Sequence, residues 1–244
     1  MNFYLTANPD LIPGLGAIGI LSGNRFITCH NQNSSVPEYD THLLLHFEGD
    51  AASGSFVDSS PNNHTVTNGS TTTIIDNENG KFGGCVTFRY DNNAGIGVST
   101  LGDLMENGFT IEFFFRIDSS YSGDIIFMGN DWWVLDHNAF GDLDGTIALF
   151  LNENAIPRDD AWHHFAWGVS DTGVTSMWVD GNNALPEVTE SAFIGSDLFG
   201  SNFAIGKVSW ASGSKYLDLD EFRITSGVRY NSSFTPPNQP FSVA

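Results

Sequence analysis

Basic residues are scarce in this 244-residue chain: nine Lys and Arg stand against 29 Asp and Glu, a formal net charge of −20 at pH 7. A surface of that sign repels phosphate backbones, so nucleic acid is not an expected partner. Cysteine is nearly absent. Cys29 and Cys85 are too few and too far apart to form a disulfide framework and are read as two reduced thiols. No uninterrupted apolar run reaches the ~18 residues a membrane-spanning helix needs, so no span is expected. The first ten residues lack a basic start and contain Pro9 and Asp10, which argues against a secretory leader. Helical periodicity is missing as well, and no internal repeat points to a solenoid or propeller.

What is present fits one large all-β domain, a class that reaches this length without dividing. Twenty Phe and six Trp supply large rigid rings for the space between two sheets, and 26 Gly supply frequent turns. From Thr41 onward short β runs alternate with turn clusters. HLLLHFEG (42–49) places Leu43, Leu45 and Phe47 on one face and Leu44, His46 and Glu48 on the other. FTIEFFFRID (109–118) alternates cleanly, with Ile111, Phe113, Phe115 and Ile117 opposite Thr110, Glu112, Phe114 and Arg116. Segments 124–130, 132–137 and 145–152 read as a meander. WHHFAWGVS and VTSMWVDGN form a hairpin about Asp171, Thr172 and Gly173, and Asp180-Gly181 is a further turn.

Residues 1–40 differ. LIPGLGAIGIL (11–21) is apolar and Gly-rich without either period, and residues 29–40 read as a polar linker. This describes an extended arm that packs on something, either its own sandwich or a neighbouring chain.

Seven segments occur in one order: HLLLHFEG, FVDSSPNNHTVT, GKFGGCVTF, FTIEFFFRID, AWHHFAW, MWVDG and LDEFRITSGVRYNSSFTPP. Together they resemble the laminin-G-like, concanavalin A-like modules, and in particular the variety found in tailed-bacteriophage virion proteins. The resemblance covers roughly residues 41 to 241. It implies an antiparallel β-sandwich of jelly-roll type over residues 41–244, preceded by the 1–40 arm as an attachment or assembly element. It also implies a non-enzymatic virion structural protein, a capsid decoration or tail-associated subunit assembled in the host cytoplasm. Its arm would contact other virion proteins, and the chain would form a closed homo-oligomer such as a trimer. A carbohydrate- or receptor-binding module that grips host surface glycans is the alternative, and an endoglucanase a more distant one.

Candidate sites follow from side-chain chemistry. In similar modules the positions of Glu48, Asp58 and Asp220 lie near one end of the sandwich, where oxygen ligands would hold calcium. Asp142-Leu143-Asp144-Gly145 resembles only the opening of a calcium loop. A carbohydrate platform is expected at Trp132 and Trp133, with Asp136 and His137 as polar neighbours and Trp210 as a further aromatic candidate. Asp218 and Asp220 share a strand face while Glu221 is expected to point away, which breaks the three-acid pattern of a glycosidase. His163 and His164 are expected to be structural, because strand neighbours point to opposite faces. Trp162 and Trp167 also face opposite ways, and Trp162 is assigned to the core.

Overall fold

The computed structural model describes residues 19–22, 25–28, 39–48, 55–68, 73–76, 78–88, 95–102, 104, 107–120, 125–128, 132–135, 139–142, 148–185, 199, 203–207 and 217–243. The chain divides into two compact units, Met1–Glu38 and Tyr39–Ala244. In the first, β1 (Gly19–Ser22) and β2 (Arg25–Thr28) form an antiparallel pair that aligns Ile20 with Ile27 and Leu21 with Phe26. The division falls two residues before the linker end read from the sequence. Tyr39 and Asp40 belong to the larger unit: the Tyr39 hydroxyl donates to the Val228 carbonyl at 3.1 Å, and the Asp40 carbonyl accepts the Ser226 amide at 2.9 Å.

The strands described in the larger unit begin with β3 (Thr41–Leu45), β4 (Ser55–Phe56), β5 (Val66–Asn68), β6 (Thr73–Asp76), β7 (Cys85–Phe88), β8 (Gly95–Val98) and β9 (Phe109–Ile117). They continue with β10 (Ile125–Met128), β11 (Trp132–Leu135), β12 (Ala139–Asp142), β13 (Ala148–Phe150), β14 (Trp162–Val169), β15 (Thr175–Val179), β16 (Asn182–Asn183), β17 (Phe203–Lys207) and β18 (Leu217–Ser226). Two antiparallel sheets result. One runs β13-β12-β11-β10-β17-β8-β5-β4; the other runs β16-β15-β14-β9-β18-β7-β6, with β3 also paired to β18. The expected meander is present as β10 to β13, with β12 as a strand the sequence pattern had not separated.

Alternation decides what lies between the sheets. On β9, Phe109, Ile111, Phe113, Phe115 and Ile117 point inward, joined by Phe165, Trp167 and Val169 of β14 and by Leu217, Leu219, Phe222 and Ile224 of β18. From the opposite sheet Phe203 reaches Phe222 with ring centroids 6.4 Å apart. Trp167 is fully buried and meets Phe109 edge-on at 5.0 Å. The core tryptophan is therefore Trp167, and the assignment of Trp162 to the core is corrected. Phe165, Trp167 and Val169 share one strand face, and Trp162 is on the other, beside Leu44, Phe114 and Phe241.

One turn bears on function because it seats the C-terminal segment. Asp180 (φ 49°) and Gly181 (φ 74°) both occupy the left-handed region, the geometry of a two-residue hairpin matched to strand twist. A Cβ on Gly181 would lie 1.8 Å from the Phe234 carbonyl oxygen. Gly181→Ala is accordingly expected to lower stability by about 2 kcal/mol or more through strain and displacement of the segment. Chemical denaturation checks this: a loss below about 0.5 kcal/mol would mean that the segment's approach is unimportant to the fold.

Candidate functional site

Side chains on the outer face of the β9-containing sheet form cross-strand rows. The first row runs Trp162, Arg116, Asp218, Thr87 over β14, β9, β18 and β7. The second runs His164, Phe114, Asp220, and the third Ala166, Glu112, Arg223, Leu44. Rows two and three are buried although they face away from the core, because residues 227–243 cross back over them as a strap.

The strap is held at several points. Arg229 donates its amide to Thr110 Oγ1 at 3.0 Å, the Tyr230 carbonyl accepts the Trp178 indole at 3.1 Å, and Phe234 donates its amide to the Gly181 carbonyl at 3.2 Å. Tyr230 and Phe234 stack at 3.7 Å. Further along, the Phe241 ring lies 4.3 Å from the Arg223 guanidinium and the Phe241 amide donates to Glu221 at 2.6 Å.

Beneath the strap lies an ionic network. Glu112 Oε1 accepts Arg223 Nη2 at 2.7 Å and Nε at 3.0 Å, and its Oε2 accepts the Tyr230 hydroxyl at 2.8 Å. His164 Nε2 lies 3.3 Å from Oε2. Burial acts to raise the Glu112 pKa, but the His164 hydrogen bond and the charges of Arg223, His164 and Arg229 outweigh it and hold the group at about 2. Neither Glu112 nor His164 is exposed, so this network joins strands and reaches no substrate.

A bulge changes the expected geometry of β18. Glu221 adopts φ 53°, and the register against β9 shifts between Asp220 and Arg223. The inserted residue turns Glu221 toward the same outer face as Asp220, which corrects the expectation that it points away. Glu221 there pairs with His46 at 2.7 Å and raises the His46 pKa through that hydrogen bond.

Glu48, Asp58 and Asp220, the residues expected to hold calcium, are each engaged with a backbone amide. Asp58 Oδ1 accepts the amides of Leu44 and Ser60 at 3.0 and 2.9 Å, and Oδ2 accepts the Ser60 hydroxyl and the His64 amide, both at 2.8 Å. All of this carboxylate's accepting capacity pins the loop to β3. Glu48 accepts the Gly84 amide at 3.0 Å, and Asp220 accepts the Phe82 amide at 2.9 Å. Among the described residues no three His, Cys, Asp or Glu side chains converge to hold a metal ion. Sequence reading placed these acids at one end by analogy and missed that each serves a backbone amide.

Trp132 and Trp133 are on β11, aligned with Met128 and Phe127 of β10. Asp136, His137, Trp210, Cys29 and residues 143–145 lie outside the described residues. Cys85 is a free buried thiol, pushed up to about 12 by burial. His163 bridges Asp180 at 2.6 Å and Asp159 at 2.9 Å. The Asp180 bond raises its pKa against the effect of burial, so His163 ties the start of β14 to the turn after β15.

The first row is less deeply covered: Trp162, Arg116 and Thr87 are half-buried, and Asp218 is buried. Trp162 is half-buried, with the Arg116 guanidinium 4.9 Å from its ring. Arg116 Nη2 and Nε reach Asp218 Oδ2 at 2.7 and 2.8 Å, and the Thr87 hydroxyl donates to Oδ1 at 2.6 Å. Beside this row lies a groove of about 250 Å³ lined by Arg116, Asp118, Asp160 and Asp218. The alternating pattern had placed Arg116 on this face, but only the pairing register shows that it neighbours Trp162 and Asp218.

Solved structures share this architecture. The binding domain of Paraclostridial Mosquitocidal Protein 1 superposes with a TM-score of 0.61 at 16% identity, over 78% of this chain and 50% of that one. The botulinum neurotoxin serotype D binding domain gives 0.60 at 13% identity, over 80% and 50%. The serotype D ligand binding domain in complex with N-acetylneuraminic acid gives 0.59 at 14% identity, over 79% and 48%. The fold is an antiparallel β-sandwich. This chain spans about half the length of the structures it matches. No protein-family model and no curated protein sequence matches it. No helix among the described residues is long and apolar enough to cross a membrane.

Proposed function

We propose that the chain is a non-enzymatic binding module displayed outward on a bacteriophage virion, as a capsid decoration or tail-associated subunit, and that its ligand is a host surface glycan. One observation carries the non-enzymatic binding role. The outer-face carboxylates that could do acid–base chemistry are engaged in the fold, while the aromatic ring of Trp162 and the Arg116 side chain stay half-exposed at one end of that face. Glu112 serves Arg223 and Tyr230, Glu221 serves His46 and the Phe241 amide, and Asp218 serves Arg116 and Thr87. An endoglucanase would need two such groups facing a cleft at catalytic separation.

The similar solved structures are named as binding domains, one of them in complex with a sialic acid, which supports a binding role. Support for the virion location comes from the sequence resemblance over residues 41 to 241 and from the separate unit at residues 1–38. That unit would attach to other virion proteins and close a homo-oligomer, for which a trimer is the expected form.

Two measurements test the reading. On an array of bacterial surface polysaccharides the full chain is expected to retain at least one glycan without cleaving it; no retention, or release of reducing ends, would sink the proposal. Light scattering of the full chain beside residues 39–244, each with and without a calcium chelator, is expected to show an oligomer and a folded monomer. Identical monomers would remove self-assembly from the account.

A further inference from the structure

We infer that His163 is a proton-operated clamp: as an imidazolium it holds the 157–161 loop to the turn at Asp180, and on losing its proton it releases the loop.

The hydrogen-bond geometry carries the inference. His163 Nδ1 lies 2.6 Å from Asp180 Oδ2, and Nε2 lies 2.9 Å from Asp159 Oδ1. An ionised carboxylate only accepts, so each contact needs an N–H, and a neutral imidazole has one. The ring therefore bridges both acids only while it is charged. Deprotonation leaves a lone pair facing a carboxylate oxygen on one side. His46 differs, because it meets Glu221 through Nδ1, a contact that a neutral ring carrying its proton on that nitrogen keeps.

The surroundings favour the charged form. The ring is faced by Asp159 of the loop, by Asp180 of the turn and by the uncharged Phe115 ring of β9, 5.7 Å away. Arg158 and Asp160 flank Asp159 in the chain, and Asp160 accepts the Ser119 amide at 3.3 Å. His164, the next residue on β14, belongs to the opposite face of the sheet. The hydrogen bond to Asp180 raises the His163 pKa above 6.5, burial opposes the rise, and the Asp159 bond and both carboxylate charges add to it. What the clamp contributes is thus complete below pH 6.5 and is lost as pH climbs through the higher folded-state value.

Of the two contacts, the one to Asp159 gives way. Asp180 is fixed from its other side, where Oδ1 accepts the His164 amide at 2.9 Å and its own amide donates to the His164 carbonyl at 2.9 Å. Its bond to the ring is the shorter, and its side chain is 40% exposed against 57% for Asp159. A neutral ring keeps its proton on Nδ1 and abandons Asp159. The loop then retains the bond from the Asp160 amide to the Ile117 carbonyl at 3.1 Å but loses its tie to the turn. Asp160 occupies the left-handed region with φ 66°, a conformation that strains a non-glycine backbone, and release lets that strain relax. Asp160 also lines the groove with Arg116, Asp118 and Asp218, so one wall of the groove is firm in mild acid and loose in mild alkali.

Two measurements on the full chain test the clamp. In nitrogen-15 spectra of histidine-labelled protein, His163 is expected to carry protons on both ring nitrogens at about pH 5.5 and on Nδ1 alone at about pH 9, with a midpoint above 6.5. In hydrogen exchange read by mass spectrometry and corrected for the intrinsic effect of pH, residues 157–161 should exchange about threefold faster at the higher pH. His163→Gln can donate to one acid only and should show the faster exchange at both pH values. Should that variant fail to fold, Asp159→Asn decides: it removes the charge at a half-exposed position and keeps an oxygen for the Ala161 amide. It is expected to bring the midpoint down toward 6.5, to abolish the pH dependence of the loop, and to match the parent in thermal unfolding at pH 9. A single protonated nitrogen at pH 5.5, a midpoint at or below 6.5, equal loop protection at both pH values in the parent, or a parent-like pH dependence in Asp159→Asn would each overturn the inference.

Discussion

Glu112→Ala is expected to cost about 3–5 kcal/mol of folding stability, measured by urea denaturation at neutral pH. The change removes one carboxylate but strands several groups. Arg223, 4% exposed, loses both short contacts to Oε1, Tyr230 loses its acceptor, and His164 loses the carboxylate oxygen 3.3 Å from its Nε2. A buried cation without a counterion is the expensive outcome; loss of the pair is not. The double variant Glu112→Leu with Arg223→Met should therefore be more stable than Glu112→Ala alone. Equal losses in the two proteins would show that the network contributes only shape. The low pKa of Glu112 adds a pH signature. Its contribution is fully present above the ordinary carboxylate value of 4.5 and is lost as pH falls toward about 2.

Asp220→Asn is expected to act in the opposite direction, stabilising the protein at pH 8 by about 2 kcal/mol. Burial raises the Asp220 pKa, the Phe82 amide bond partly counters this, and the charge of Glu221 raises it further, to about 7 from an ordinary 3.8. The folded state thus prefers the protonated acid. Its contribution is complete below pH 3.8 and disappears as pH climbs through about 7. The gap between those values corresponds to roughly 4 kcal/mol, of which relaxation and water entry would leave part. Asparagine keeps an acceptor for the Phe82 amide and cannot ionise, so the variant's advantage should appear at pH 8 and vanish near pH 4. Thermal unfolding at the two pH values tests this. A variant less stable than the parent at pH 8 would mean that Asp220 is ionised at no cost.

The inner half of the sandwich was legible in the sequence. Strict alternation on β9 and on residues 42–49 sorted their side chains onto the two faces that the structure shows, since a period of two leaves no other choice. The outer face was illegible for the same reason. Thr110, Glu112, Phe114 and Arg116 alternate with the core residues, and nothing local shows that a segment more than a hundred residues later covers three of the four. Trp162 and Trp167 were placed on opposite faces, but spacing alone does not say which is inside; Phe165 and Val169, at even separations from Trp167, carried that information.

The turn of Glu221 left no trace, because the left-handed position in the bulge is filled by an ordinary residue instead of glycine. At the first unit, Gly23-Asn24 separates two short runs and is a hairpin signal, but the Gly-rich composition obscured it. The amide bonds of Glu48, Asp58 and Asp220 were illegible too: in a sequence, carboxylates that bind backbone amides resemble carboxylates that bind ions until their partners are seen.

The strap also constrains the order in which the molecule can be completed. Glu112 is separated from Arg223 by 111 residues and from Tyr230 by 118, and closing loops of that length is slow. During synthesis β9 and β14 emerge early, with Glu112, Phe114 and His164 on a face that has no cover and no counterion. Only when Arg223 to Phe241 have left the ribosome does that face acquire both. Between the emergence of β14 and that of Phe241 the nascent chain therefore presents an adhesive, half-charged surface, and a holding chaperone or rapid docking of neighbouring strands would have to protect it until residues 223–241 arrive.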